Sequence, residues 1–310
     1  MIDQIIGVGI AHAKIILIGE HAVVYKQPAI AIPLTNLTVT TTIRPSFQGQ
    51  IIESNSFHGD LNELGANVEG LRQLILQLLI EFNMQNTPFS LEIDTNIPQE
   101  RGFGASAAFA TSITKAFYSF ANKPLTEEKL KYFTDIEESI SHGSASGLDA
   151  ATVNSDDPIW FIKNIEMTPF KMSLTGTLVV ADTGIHGQTM HAVNIVKNNL
   201  EEHYDLTWQK IEHLGHIAEK LRVDLTKNAA THAGLLFTAA HHELQSLGIS
   251  HPKLDNLVNA ALHAGALGAK LTGAGIGGVM FALAKNNDNA ITIANALTKA
   301  GAQNTWIQPL

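Results

Sequence analysis

The sequence is 310 residues long, with 20 Lys and Arg against 29 Asp and Glu, a formal net charge of −9 with histidine neutral. Hydrophobic residues make up 45% and charged residues 16%, against about 25% charged in an average globular chain, so general disorder is excluded and the length fits one large domain or two ordinary ones. The acidic balance argues against nucleic-acid binding by phosphate neutralisation, and the absence of cysteine removes disulfides, thiolate metal sites and cysteine nucleophiles.

No apolar run reaches the ~18 residues of a membrane span. The opening segment MIDQIIGVGIAHAK has no basic n-region and reads as a first strand, so the expectation is a cytoplasmic protein with no membrane or nucleic-acid partner. Strands are predicted at Ile5–Ile10, Ile15–Ile18 and Ala29–Ile43 from β-branched alternation and short apolar runs. Helical spacing over Asn67–Phe82 puts Val68, Leu71, Ile75, Leu78 and Leu79 on one face, and Phe89–Asp94 reads as a strand. An Ala-rich helix follows the turn at 98–104. Thr126 is placed to cap a helix from Glu127 to about Ser141, and a short helix follows Gly147. The second half opens with the strand GTLVVAD and a long helical region, Thr189–Ser246. A helix over Pro252–Ala264, strands at Ala269–Leu271 and Val279–Ala282, a helix over Ala290–Ala300 and a last strand at Asn304–Ile307 complete the chain. The domain division is expected at 1–170 and 171–310.

Four stretches carry chemistry. Lys14, Glu20 and His21 flank the apolar run IILIG; taken alone, such charges read as solvated strand ends. Pro98-Gln99-Glu100-Arg101-Gly102-Phe103-Gly104-Ala105-Ser106-Ala107-Ala108 joins a glycine turn to a helix start, where unpaired N–H groups and the dipole favour phosphate. Ser106 there either caps the helix or offers its hydroxyl to a metal. Between Glu138 and Asp149 lies a small polar turn, SISHGSASGL; its two carboxylates suit a magnesium ligand and a proton acceptor, or ordinary capping. The stretch Lys270–Gly278 is a glycine turn between two strands.

In this order, the stretches resemble the motifs of the GHMP kinase superfamily. The glycine loop is similar to P-x-x-x-G-L-G-S-S-A-A and the last stretch to K-x-T-G-A-G-x-G-G. Within the superfamily, KIILIGEHAVVY together with H-G-x-x-S-G-x-D resembles the branch whose alcohol is mevalonate. The resemblance runs from residue 5 to about 285. It implies an α+β fold with a mixed-sheet N-terminal domain and a ferredoxin-like C-terminal domain. It also implies transfer of the ATP γ-phosphate to the 5-hydroxyl of mevalonate, with another small-molecule kinase, for phosphomevalonate or a sugar, as the alternative.

By that resemblance Asp149 is the catalytic base or hydroxyl-orienting group and Lys14 its neighbour, stabilising the transferring phosphoryl group. Ser106 and Glu138 hold Mg²⁺. Pro98, Arg101, Gly102, Phe103, Gly104, Ala105, Ser106, Ala107 and Ala108 bind ATP. Glu20, His21, Ser146 and Thr189 line the mevalonate side, and Gly273, Gly275 and Gly277 shape the site. A homodimer is included among the expectations. Some positions depart from the pattern: Ala105 replaces the first serine of the loop, Phe103 a leucine, His12 a common proline, and Lys26 a common glycine.

Competing motifs fail on context. Gly273-x-Gly275-x-x-Gly278 matches a dinucleotide fingerprint, but the residues after it read as a strand where a helix is required. Ser112-x-x-Lys115 lacks its companion motifs. The 14 histidines include His213, His216 and the cluster His241-His242-Glu243, none in H-E-x-x-H spacing.

Overall fold

The computed structural model describes residues 6–98, 102–142 and 147–310. The chain divides into two compact units, one of Met1–Lys14, Pro33–Pro98 and Gly104–Asp156, the other of Ile15–Ile32, Gln99–Phe103 and Asp157–Leu310.

Strand β1 (Gly7–Ile18) is continuous where the sequence suggests two runs. The alternation does not stop at Ala11-His12-Ala13, because Ala11 and Ala13 are small enough to stay buried, at 1% and 0% exposure. β1 pairs with β2 (Ala29–Pro45).

In the first unit, Val39–Pro45 of β2 pairs antiparallel with β5 (Phe89–Thr95), β5 runs parallel to β3 (Gln50–Ser54), and β3 turns back into β4 (Phe57–Asp60). The β3–β4 hairpin was not expected. Its strands are short and half polar, and its turn is held by the Ser54 hydroxyl, which accepts from the Ser56 and Phe57 N–H groups. Helix α1 (Glu69–Glu81) follows a 3-10 turn at Ala66–Val68 and buries Leu74, Ile75, Leu78 and Leu79. Helices α2 (Ala105–Phe120), α3 (Glu127–His142) and α4 (Leu148–Val153) complete the layer, α3 against α1 and α2, α4 against α2. Thr126 caps α3 as expected, its hydroxyl accepting from Lys129 N–H at 3.2 Å. The core is dense in rings: Phe89 meets Phe117 edge to face at 5.6 Å.

The second unit has its own sheet, ordered β11-β8-β10-β9 and antiparallel throughout. Its strands are β8 (Thr177–Asp182), β9 (Gly268–Thr272), β10 (Val279–Ala284) and β11 (Asn304–Pro309), and every residue of β8, β9 and β10 is buried. With α9 (Asn287–Lys299) between β10 and β11, this is the ferredoxin-like βαββαβ pattern, expanded in its first connection. That connection holds α5 (Thr189–Glu202), α6 (Tyr204–Thr226), α7 (Ala230–Ser246) and α8 (Pro252–His263). The single helical region expected over Thr189–Ser246 is therefore three helices. The breaks fall where His203 takes φ −141 and where Asn228 takes the left-handed φ 54. A second unexpected hairpin, β6 (Ile159–Ile162) and β7 (Glu166–Pro169), pairs with Ala29–Ala31 of β2. The Arg222 guanidinium of α6 lies over the Trp160 ring at 4.6 Å, fastening α6 to it.

Candidate active site

The expected residues fall into two groups, one in each unit. In the first unit Lys14, near the middle of β1, is 4% exposed. Its ammonium meets Asp149 Oδ1 at 2.8 Å, and the Asp149 side chain keeps 36% of its surface open. Asp149 holds that place because Gly147, at φ 74, turns the chain into α4, where Asp149 is the second residue. The carboxylate is thus gripped by a buried cation while a third of its side chain stays open.

The stem of Lys14 crosses the glycine loop. A Cβ on Gly104 would lie 2.7 Å from Lys14 Cγ, and Gly104 takes φ +68 besides; only glycine satisfies both demands. Gly104 is also the N-cap of α2 and supplies no side chain to its first N–H groups. Those donors and the positive end of the dipole stand beside the Lys14 ammonium stem, which is the combination that binds phosphate. Ala105, Ser106, Ala107 and Ala108 form the first turn, while Gly102 (φ +81) and the buried Phe103 precede it. Phe103 packs edge to face on Trp306 at 5.3 Å, so the larger ring in the loop has a dedicated neighbour. Pro98 ends the described stretch before the loop; Arg101 and Ser146 lie outside the described residues.

Ser106 is not an N-cap; its hydroxyl reaches across to α3 and donates to Glu137 Oε1. Glu137 and Glu138 are 2% and 9% exposed. Sequence reasoning singled out Glu138 and passed over Glu137. The signal was present: Leu130, Phe133, Thr134, Glu137 and Glu138 are the buried residues of α3 among those described, an i, i+3, i+4, i+7, i+8 stripe in which both carboxylates occupy core positions. A hydroxyl and buried carboxylate oxygens are the hard donors that suit Mg²⁺.

In the second unit the loop between β9 and β10 is the organising feature. Gly275, at φ +79, leaves no room for a side chain: its Cβ would lie 2.0 Å from the Ile249 carbonyl oxygen. Gly278 N–H donates to Ile185 O at 2.7 Å, Ile276 N–H to Ile249 O at 3.0 Å, and the Thr183 hydroxyl to Gly278 O at 2.7 Å. Gly273 and Gly277 also take positive φ. The β-strand Val279–Ala284 that follows confirms that the glycines are not a dinucleotide fold's turn. On this loop the His21 ring, 7% exposed, meets Ala274 O at 2.8 Å through Nε2. A carbonyl only accepts, so the proton sits on Nε2 and Nδ1 is the acceptor. Burial lowers the His21 pKa, opposed by Ala274 O and Glu20, which favours that neutral ring.

Glu20 is 2% exposed and its Oε1 pairs with Lys270, itself 0% exposed. Lys270 donates also to Leu271 O at 2.6 Å and lies 5.3 Å from the Phe281 ring centre. Burial pushes the Lys270 pKa down and Glu20 pushes it up. The second Glu20 oxygen, Oε2, is buried with no hydrogen bond among the described residues. Glu20 is thus no solvated strand end. Thr189 stands exposed as the first residue of α5.

Behind Lys270, His241 is buried with Nδ1 accepting from Leu271 N–H and Nε2 3.3 Å from Asp255 Oδ1. Its pKa is pushed down to about 4, by burial first and then by Lys270 and His242, against the raising effect of Asp255. Between about pH 6.5 and 4 the unfolded ring binds more protons than the folded one, so stability is complete above that window and falls as the pH is lowered through it, by about 3 kcal/mol. Unfolding midpoints measured across the window should fall more steeply in the unaltered protein than in His241→Gln; equal slopes would remove His241 as the cause. His213 pairs with Glu243 at 2.7 Å, and among the described residues no group of three or more His, Asp or Glu is arranged to hold an ion.

The chain matches two family models, the GHMP kinases N terminal domain over residues 65–155 and the GHMP kinases C terminal model over residues 218–303. It is 33% identical to a mevalonate kinase of Pyrococcus furiosus, over 92% of this chain and 91% of that protein. The crystal structure of mevalonate kinase from methicillin-resistant Staphylococcus aureus is similar with a TM-score of 0.77 and 33% identity, covering 98% of this chain and 99% of that one. That of Methanococcus jannaschii mevalonate kinase is similar with a TM-score of 0.85 and 25% identity, covering 98% of both. The chain belongs to the GHMP kinase family, in its mevalonate kinase branch, and is an ATP-dependent small-molecule kinase.

Proposed function

We propose that the protein transfers the γ-phosphoryl group of ATP to the 5-hydroxyl of mevalonate, giving 5-phosphomevalonate and ADP for isoprenoid precursor synthesis. The observation that carries the reading is the Lys14–Asp149 pair, 2.8 Å apart, with the Lys14 stem packed on Gly104 at the start of α2. In the reaction the substrate oxygen forms a bond to Pγ as the bond from Pγ to the β,γ-bridging oxygen breaks. Asp149 accepts the hydroxyl proton, and Lys14 offsets charge on the transferring group. Pro98, Arg101 and the residues from Gly102 to Ala108 bind ATP; Glu20, His21, Ser146 and Thr189 line the mevalonate side; Gly273, Gly275 and Gly277 shape it. The buried Glu20 Oε2 and the His21 Nδ1 acceptor support that assignment, because both are acceptors for a hydroxylated ligand.

Ser106 and Glu138 are the proposed holders of Mg²⁺, which when bound neutralises charge on the phosphates. Removing that hydroxyl in Ser106→Ala should raise the magnesium concentration for half-maximal rate by about tenfold; an unchanged titration would return Ser106 to a purely structural contact. We also propose 1–170 and 171–310 as the two domains, a division supported by one matched family segment falling in each. A cytoplasmic location agrees with a cysteine-free chain in which no helix among the described residues is long and apolar enough to cross a membrane. A homodimer is the proposed assembly, and sedimentation velocity tests it.

The deciding experiment is a coupled ADP-release assay with Mg·ATP and mevalonate, run beside phosphomevalonate, galactose and homoserine. Turnover with mevalonate alone is expected. Turnover with another alcohol would replace the substrate and keep the chemistry, and ATP binding without turnover on any would overturn the catalytic reading.

A further inference from the structure

Glu137 lies in the core stripe of α3 at 2% exposure. Its Oε1 accepts from two hydroxyls, that of Ser106 at the start of α2 and that of Ser141, one turn along α3, at 2.5 Å. Helix α1 closes the third side: a Cβ on Gly70 would come 3.2 Å from Glu137 Oε1 and 2.8 Å from the Ser141 hydroxyl oxygen. The acceptor is thus enclosed by α1, α2 and its own helix.

A serine hydroxyl has one proton and two lone pairs. An ion can use only the lone pairs, and it does so best when the proton is directed elsewhere and held there. Glu137 meets that need, since a carboxylate is an acceptor on both oxygens and draws the proton away from the Ser106 oxygen, raising its donor strength. Building on the phosphoryl transfer assigned above, we propose that Glu137 is a positioning residue: it accepts the hydrogen bond of the Ser106 hydroxyl and so leaves the oxygen's lone pairs directed as a ligand for the divalent ion that accompanies ATP. A carboxylate that merely fastened α3 to α2 would change stability and leave ion affinity alone.

The test reads ion binding directly. Mn²⁺ affinity is measured from the electron paramagnetic resonance of the free ion, in the presence of a non-hydrolysable ATP analogue, with thermal unfolding alongside. Glu137→Met, similar in length but without an acceptor, is expected to weaken Mn²⁺ binding about tenfold. Ser106→Ala should weaken it by a similar factor, and the double variant by no more than either single one, because both remove the same ligand. Glu137→Gln keeps a carbonyl oxygen for the Ser106 proton and should stay within about threefold of the unaltered protein. Unchanged affinity in Glu137→Met, additive losses in the double variant, or a tenfold loss in Glu137→Gln would each overturn the proposal. Should the methionine variant not fold, Glu137→Ala removes the same acceptor without added bulk and carries the same expected loss, and unchanged Mn²⁺ affinity in it would overturn the proposal. Failure of the underlying kinase reaction looks different: the unaltered protein would then take up no Mn²⁺ with the nucleotide.

Discussion

Asp149→Asn is expected to lower kcat by about 10³-fold, within the range that a positioned proton acceptor contributes, with the affinity for ATP nearly unchanged. Asparagine is close to isosteric, and its carbonyl oxygen can still receive the Lys14 ammonium that now sits 2.8 Å from Asp149 Oδ1. What it loses is the ability to accept the proton as the new oxygen–phosphorus bond forms. The charge on Lys14 is then uncompensated in a site where that residue is 4% exposed, so thermal unfolding belongs in the same experiment. Rates come from ADP release and affinities from nucleotide titration. Turnover within about threefold of the unaltered protein would take Asp149 out of the proton-accepting role.

Lys270→Met should destabilise the fold more than any other single substitution named above. It leaves the Glu20 carboxylate at 2% exposure with its charge partner removed. Breaking a buried pair from one side costs about 3–5 kcal/mol, which for a chain of this size corresponds to a fall in Tm of roughly 10 °C. Adding Glu20→Gln to Lys270→Met should recover a good part of that loss, because the stranded charge disappears with its partner. If the two single changes added without recovery, the pair would not be the stabilising unit. The same pair shows why Glu20 reads differently in three dimensions than in one. On the sequence it is a charged residue at the end of an apolar run; in the fold it is tied to a residue 250 positions away.

The regular elements were legible where one periodicity held over a whole element. The Ile75, Leu78 and Leu79 part of the α1 face, the cap at Thr126 and the strands either side of the Gly273–Gly278 turn came through because each depends on residues near in sequence, whereas Val68 falls in the 3-10 turn before the helix and Leu74 takes the buried place expected of Leu71. The two hairpins β3–β4 and β6–β7 did not. Their strands are five residues or fewer, and they are held by pairing with β5 and β2, which no local pattern announces. The helical run from Thr189 to Ser246 kept its composition through two breaks, and only the backbone at His203 and Asn228 reveals them.

The site was legible as motifs rather than as contacts. The pairing of Lys14 with Asp149 agrees with what their resemblance implied. The partner of Ser106 did not come through, because adjacent glutamates differ by about 100° in direction around a helix, and which one meets α2 follows from the packing of α3. Extending the stripe from Leu130 and Phe133 would have marked Glu137 and Glu138 alike as inward-facing positions. Lys270 was read as part of a glycine motif, with no hint that its ammonium is a strut.

The enlarged connection between β8 and β9 also bears on how the chain reaches its native state. β9 and β10 are neighbours in sequence and can meet quickly, whereas β8 must find β10 roughly a hundred residues later. The anchors of the glycine turn are more dispersed still: Ile185 and Thr183 follow β8, Ile249 follows α7, and Thr272 donates to Ile16 O in β1. Closing such separations costs loop entropy before any contact rewards it. The hairpin can therefore form early while its tip acquires its working shape only as the last long-range pairings lock. In a stopped-flow refolding experiment, ligand-binding competence should lag behind the recovery of secondary structure.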